Sequence, residues 1–385
     1  MKMLNKELLT KTLDERTLGE VAEGKVGGAS VAVTQNGELV YKRHFGLQNI
    51  EKNIPVTDNT VFRLASMTKP ITAFAAVLEM DKGRLDLFDP VEKFLPKYKD
   101  LYIGKLDDNG EVQIAGKAKT KLRLIHLLTH SSGIGASDDI GMKVAEKFSK
   151  DPRRDNFRDA VDAYPEFPLS FEPYTDQSYS AVWGMDIVGR IIEETSGKVF
   201  SDYLDSEVFK PLEMKNTTFY PSPEQFDRLI DIHNRDKDGK AIAAQTVPGC
   251  VFGDFKCTAT LGGAGLAGTL DDYLNFCEMI LNYGNFRGIQ LARPSSVRSM
   301  SIPHISESIM GPNGIWGMAM RIMSDDSHEA FPQGVYGWAG AYGTHFWIDP
   351  ANKITAVYMK NSSYDGAFGV SASQFEKDVY ACLEK

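Results

Sequence analysis

Hydrophobic positions recur along this chain with two periods, and the period changes at a few boundaries. From Leu4 to Ala22 the apolar residues Leu8, Leu9, Leu13, Leu18 and Val21 fall close to helical spacing, which predicts an amphipathic helix closed by Gly24, Gly27 and Gly28. Ala29 to Thr34 and Leu39 to Phe45 are instead rich in β-branched and aromatic residues, with Gln35-Asn36-Gly37-Glu38 between them. Asn-Gly readily takes the positive φ angles of a tight turn, so these segments predict an antiparallel hairpin.

Helical spacing returns at Ile71 to Met80, Leu122 to Thr129, Met185 to Glu194 and Phe200 to Phe209. The third of these is closed by Ser196-Gly197 and the fourth ends before Pro211. Residues 141 to 168 are charged and in part helical, and Pro165, Pro168 and Pro173 break the region that follows. Lys97 to Lys121 is a polar excursion with a small hairpin expected around Asp108-Asn109-Gly110, and Phe219 to Lys256 is rich in loop. After a helix at Leu270 to Leu281, strands are expected at Trp316 to Met323, Gly334 to Trp338, His345 to Ile348 and Ile354 to Met359, then a last helix at Gln374 to Leu383. The pattern is that of an α+β protein. Residues 1–65 and 260–385 supply a helix-flanked antiparallel sheet, and residues 66–259 supply a mainly helical lobe with loop insertions.

Composition narrows the partners. With 385 residues, 42% hydrophobic and 25% charged, the chain is long enough for two lobes. A net charge of −9 without a long basic stretch argues against nucleic acid or an anionic membrane and for a small-molecule substrate. No run reaches the roughly 20 apolar residues of a membrane span, and Met1 to Glu7 carries charge where a signal peptide has its apolar core, so the sequence reads as cytoplasmic. Cys250, Cys257, Cys277 and Cys382 lack metal or redox spacing. A Cys250–Cys257 disulfide is the minor reading, since nothing else marks the chain as secreted.

The candidate chemistry lies in Phe62-Arg63-Leu64-Ala65-Ser66-Met67-Thr68-Lys69-Pro70. Residues three apart share a helical face, and Ser66 is the only serine in the chain with a lysine three residues on. A serine hydroxyl needs a neighbouring base, and a lysine serves as one only when neutral. His126 and His130 are four apart but lack the Glu of a His-Glu-x-x-His metal motif, which favours hydrogen-bonding roles. The glycine-rich stretch Leu261 to Gly268 lacks the Gly-Lys-Ser/Thr ending of a phosphate loop, which favours a close backbone approach. Phe167, Phe171, Tyr174, Trp183, Phe252 and Tyr342 are candidate pocket aromatics, although aromatics in a chain of this size are usually core.

Ser66-Met67-Thr68-Lys69, then Leu127-Leu128-Thr129-His130-Ser131-Ser132-Gly133, then Tyr179-Ser180, then Gly337-Trp338-Ala339-Gly340-Ala341 follow one another in order. In this the chain resembles the serine hydrolases of the class C β-lactamase-like superfamily, and most of all its esterase branch, the family VIII carboxylesterases. The resemblance spans residues 26 to 380. It implies a β-lactamase/transpeptidase-like fold, a helix-flanked antiparallel sheet with an inserted all-helical lobe, and ester cleavage without a metal or organic cofactor. Carried over by position, Ser66 is the nucleophile, Lys69 its proton partner, and Tyr179 shares the base role and protonates the leaving group. The N–H groups of Ser66 and Ala341 form the oxyanion hole, and Trp338, Ala339 and Gly340 contact substrate.

Two departures from the family pattern shape the expected specificity. Ala181 stands where the second motif commonly has Asn, which removes an amide for Lys69 or substrate. Trp338-Ala339-Gly340 stands where a Lys-Thr-Gly or His-Thr-Gly commonly begins the third motif. A lysine there would meet the carboxylate of a β-lactam or peptide, and an indole brings no charge. A small ester is therefore favoured as substrate over a β-lactam or a D-amino-acid peptide. A non-catalytic binding protein on the same fold is disfavoured by the intact Ser66, Lys69 and Tyr179, and a conventional α/β-hydrolase by the absence of Gly-x-Ser-x-Gly. Acyl chain length and oligomeric state stay open.

Overall fold

Asn36 and Gly37 turn the chain with φ angles of 55° and 77°, and the strands on either side pair as the Asn-Gly signal requires. These are β1 (Gly28–Gln35) and β2 (Glu38–Asn49), with β3 (Ile54–Pro55) on the outer edge of β2. The structure is a computed structural model that describes residues 1–246, 251, 259–310, 314–323, 332–367 and 369–384. Cys250, Cys257 and Phe252 lie outside the described residues, while Cys277 and Cys382 are free and buried.

The remaining strands of the sheet come from the far end of the chain. They are β4 (Ile315–Trp316), β5 (Arg321–Ile322), β6 (Tyr336–Ala339), β7 (His345–Asp349) and β8 (Ile354–Lys360). The sheet has eight strands in the order β4-β5-β6-β7-β8-β1-β2-β3, all antiparallel, with Val31 opposite Tyr358 at the seam between the two ends of the chain. Trp316 to Met323, expected as one strand, is instead a tight β4–β5 hairpin. Ala319 sits at φ 57° in the reversal, and a Cβ at Gly317 would lie 2.1 Å from the Met300 carbonyl oxygen. That is a contact only glycine permits.

Alternation along the strands sends two sets of side chains to opposite faces. Val31, Val33, Trp347, Ala356 and Tyr358 pack with Leu9 and Leu13 of α1 (Lys6–Ala22) and with Phe375 and Val379 of a C-terminal helix, Val370–Ala381. The buried stripe of α1 is Leu9, Leu13 and Thr17, one residue every turn, so Leu8 and Leu18 of the expected apolar face remain exposed. On the other face Ala32, Phe346, Ile348 and Val357 join a larger core that runs into the helical region. Its axis is α2 (Thr68–Asp81), buried from Thr68 to Glu79 as a helix apolar on all sides must be.

Around α2 pack α3 (Leu124–Leu128), α4 (Trp183–Ser196) and α5 (Leu270–Leu281). Gly197 closes α4 in the left-handed conformation, φ 70°. Phe200 to Phe209 is α-helical only through Leu204 and continues as one π turn, Asp205–Phe209. The expected excursion forms a hairpin, Tyr102–Leu106 with Val112–Lys117, and the loop-rich region contains a second, His233–Arg235 with Ala241–Ala243.

Candidate active site

Ser66 is presented by a constrained bend. A two-residue pairing of Phe62–Arg63 with Ala267–Gly268 ends just before it, and Arg63 fixes that end through Nε to the Val251 carbonyl (2.7 Å) and Nη1 to the Ile230 carbonyl (2.6 Å). Ala65 then takes φ 47°, which costs a non-glycine residue about 1–3 kcal/mol, and a single 3₁₀ turn, Ala65–Met67, leads into α2. Residues 61–65 and 67–70 are buried and Ser66 alone in this run is partly exposed. The strain turns one polar side chain outward from a buried segment.

Lys69 points back toward it, one helical turn on. Its Nζ lies 3.1 Å from Ser66 Oγ, 2.5 Å from the Ala181 carbonyl oxygen and 2.7 Å from that of Gly263. The residue is completely buried, and among the described residues no carboxylate forms an ion pair with it. The amide expected at position 181 is absent, and the main chain of the same residue does its work. Gly263 reaches Lys69 because the glycine-rich stretch lies against the start of α4. A Cβ at Gly263 would come within 2.8 Å of Val182 Cα, and Thr72 Oγ1 donates to the Gly262 carbonyl at 2.7 Å. The expected close backbone approach is what the structure contains.

Tyr179 stands beside Lys69, whose Nζ is 4.9 Å from the centre of its ring. The phenolic oxygen accepts a hydrogen bond from Trp338 Nε1 at 3.0 Å. Trp338, Trp316 and His130 box the ring in, with centroid distances of 5.1, 5.9 and 4.6 Å. His130 Nδ1 accepts the Ser180 N–H (3.1 Å), so the histidine sets the backbone next to Tyr179. Burial, and then the charge of Lys69, hold its imidazole well below the ordinary value, so it stays neutral. His126 turns away, stacking on Tyr174 and accepting the Arg123 N–H. Each histidine thus has a hydrogen-bonding role.

The end of β6 is clamped to the chain before Ser66. Gly340 donates its N–H to the Thr344 carbonyl (2.7 Å), Thr344 Oγ1 donates to the Leu64 carbonyl (3.0 Å), and a Cβ at Gly340 would meet that Leu64 oxygen at 2.4 Å. Gly340 is therefore a packing position and does not line the site. Ser66, Tyr179, Trp338, Ala339 and Ala341 do, around a cavity of about 410 Å³. Of the candidate aromatics, Phe167 and Trp183 pack with Phe148 away from the cavity, Tyr174 stacks on His126, and neither Phe171 nor Tyr342 is among its lining residues.

Sequence reasoning missed Asp186. It sits completely buried on α4, accepts the Gly263 N–H (3.2 Å) and the Tyr164 hydroxyl (3.0 Å), and so holds the peptide whose carbonyl holds Lys69. Burial drives its carboxyl up to about 7 against those hydrogen bonds and the charge of Lys69. An acidic residue at a position facing the helical core, among Met185, Ile187 and Val188, was the available signal.

A buried lysine joined to a half-exposed serine at the edge of a helix-covered antiparallel sheet defines a serine hydrolase of the β-lactamase type. The family model described as Beta-lactamase matches residues 13–381, and the chain belongs to that family and is a serine hydrolase. It is similar to Esterase EstB of Burkholderia gladioli, 28% identical over 93% of this chain and 92% of the relative. It is also similar to a putative D-alanyl-D-alanine carboxypeptidase of Salmonella typhimurium (strain LT2), 28% identical over 83% and 73%. Among solved structures, EstCE1, a hydrolase with promiscuous acyltransferase activity, superposes with a TM-score of 0.81 at 22% identity, covering 97% of this chain and 99% of that one. No helix among the described residues is long and apolar enough to cross a membrane.

Proposed function

We propose that the chain hydrolyses small carboxylic esters through a covalent acyl-enzyme on Ser66. The observation that carries this reading is the coordination of Lys69. A neutral amine has two N–H bonds and one lone pair. The carbonyls of Ala181 and Gly263 accept two of the Lys69 N–H bonds, and the third direction on Nζ points at Ser66 Oγ, 3.1 Å away. In the neutral amine this reading requires, that direction carries the lone pair of a general base.

As Oγ bonds to the ester carbonyl carbon, its proton passes to Lys69 Nζ. The oxyanion is received by the N–H groups of Ser66 and Ala341, which the Gly340–Leu64 clamp brings to the same edge. Breaking the ester C–O bond releases an alkoxide, and Tyr179 supplies its proton, to be restored from Lys69. Trp338 occupies one acceptor position of the phenol and stabilises negative charge developing there, which leaves the phenolic O–H free to point at the leaving group. Water then repeats the sequence on the acyl-enzyme. Similarity to EstCE1 supports an alcohol as a second acceptor.

The test is turnover of p-nitrophenyl acetate, butyrate and octanoate by wild type and Ser66→Ala, with a chromogenic cephalosporin in parallel. Ester hydrolysis should fall by about 10³-fold or more in the variant, and the cephalosporin should turn over slowly in both. Full ester hydrolysis by Ser66→Ala would remove the assignment. Fast, Ser66-dependent cephalosporin cleavage would put a β-lactamase or peptidase first.

A further inference from the structure

The cavity that begins at Ser66 does not end at a neutral wall. Its lining also includes Arg321 of β5, His345 of β7 and Glu376 of the C-terminal helix. Arg321 pairs across the sheet with Gly337 of β6. Its guanidinium lies over Gly314, where a Cβ would be 3.2 Å from Nε. Among the described residues the guanidinium has no ion pair or hydrogen bond, and its Nε is buried without a partner. Glu376 is engaged by His345 instead, Oε1 to Nε2 at 2.5 Å. Burial lowers the Arg321 guanidinium from its ordinary value, and Glu376 only partly offsets this from a distance.

A partly buried cation whose Nε is shielded from water and has no fixed acceptor is costly unless something else brings the acceptor. Arg321 occupies a two-residue strand between the edge strand β4 and β6, and no described acceptor holds it there. Trp338 brings no charge to the cavity, so among its lining residues Arg321 is the strong cation a substrate can meet.

We propose that Arg321 forms an anion subsite in the substrate cavity, and that the preferred substrates are esters carrying a carboxylate away from the scissile bond. A planar carboxylate can accept two parallel N–H bonds from a guanidinium, which fixes the ester's orientation as well as its affinity. The inference rests on the ester hydrolase reading for its substrate, but the binding site itself can be measured without turnover.

Two measurements on the full chain separate them. By calorimetry, benzoate should bind wild type about tenfold or more tightly than benzamide. Arg321→Gln should abolish that preference and Arg321→Lys retain part of it, while Glu376→Gln, which removes the opposing carboxylate, should increase it. In turnover, the ratio of kcat/KM for 4-acetoxybenzoate to that for its methyl ester should fall about tenfold or more in Arg321→Gln, chiefly through KM. The monoester of glutaric acid with p-nitrophenol, against p-nitrophenyl pentanoate, reports the same for a carboxylate on the acyl side. Equal binding of benzoate and benzamide by wild type, or a preference that survives in Arg321→Gln, would overturn the subsite even if Ser66-dependent turnover is normal. Arg321-dependent benzoate binding without Ser66-dependent ester turnover would uphold the subsite and overturn the ester reading.

Discussion

Two lysines among the described residues are completely buried, and they face opposite kinds of partner. Lys69 is surrounded by neutral oxygens, a hydroxyl and two carbonyls. Lys360, at the end of β8, is ion-paired to Asp365. Burial alone would raise the Asp365 carboxyl, but Lys360 and Ser371 hold it below its ordinary value, while burial pulls Lys360 down against the pull of Asp365. If Lys360 gave up its proton, a buried carboxylate would be left without its counter-charge. In the proposed mechanism Lys69 passes a proton without leaving any charged partner behind, since its neighbours are a hydroxyl and two carbonyls. The partner, more than the burial, separates the lysine proposed to do chemistry from one that is tied into an ion pair.

What Lys360 holds is the back of the site. Gly343 closes over its stem, where a Cβ would lie 2.3 Å from Cε. The loop that carries Asp365 then bonds the turn after β6, Ala367 N–H to the Ala341 carbonyl at 3.2 Å and Ser362 N–H to that of Tyr342 at 2.8 Å. The same lesson applies to Ser30, His44 and Asp58, which are linked at 2.8 and 3.0 Å like a nucleophile, base and acid. Ser30 is completely buried between β1 and its neighbours and lines no described cavity, so the chain of hydrogen bonds serves the hairpin.

The sharpest break of this contrast is a pair of methionine substitutions. Lys69→Met should lower kcat/KM for a p-nitrophenyl ester by about 10²–10⁴-fold, with a stability loss limited to about 1–3 kcal/mol for the two orphaned carbonyls. Lys360→Met should cost about 3–5 kcal/mol in urea unfolding because Asp365 stays buried and unpaired, with kcat/KM of the folded protein reduced far less than in Lys69→Met. Equal losses of rate in the two variants would mean that the lysines are not distinguished by their partners. Next in size is Trp338→Phe, which keeps the aromatic box and removes the N–H on the Tyr179 hydroxyl. The expected loss is about tenfold in kcat, the worth of one such hydrogen bond. An unchanged kcat would reduce Trp338 to a wall of the cavity.

The smallest effect on rate is expected from Asp186→Asn, which keeps one acceptor for the Gly263 N–H. Its signature is pH-dependent stability. A carboxyl raised to about 7 in the folded protein, from an ordinary value of 3.8, binds its proton more tightly folded than unfolded. Its contribution is therefore greatest at low pH, is lost as pH rises from about 4 to 7, and is flat above. The Tm of the Asn variant relative to wild type should rise across that window and level off beyond it. A constant difference from pH 4 to 8 would show that Asp186 ionises as an ordinary carboxylate.

Local chemistry made most of the framework legible. Asn36-Gly37 turns a hairpin because of its own φ preferences, Gly197 ends α4 for the same reason, and Ser66 with Lys69 share a helical face by spacing alone. Where the reading failed, the deciding contact came from elsewhere in the chain. Gly317 bends Trp316 to Met323 into two strands because the Met300 carbonyl lies against it, and Gly340 is packed against the Leu64 carbonyl and is not among the residues lining the cavity.

The chain by itself determined that Ser66 and Lys69, the proposed nucleophile and base, stand side by side, because their juxtaposition needs only one turn of helix. Tertiary structure alone decided what surrounds them. The carbonyls of Ala181 and Gly263, the indole N–H of Trp338 and the carboxylate of Asp186 meet near Lys69 from positions up to 269 residues away. Arg321 reaches the same cavity from a strand 255 positions beyond Ser66. Spacing along the chain reports neighbours on one helix or strand, whereas burial and the loss of water, which give a lysine or an arginine its chemistry, are properties of the assembled core.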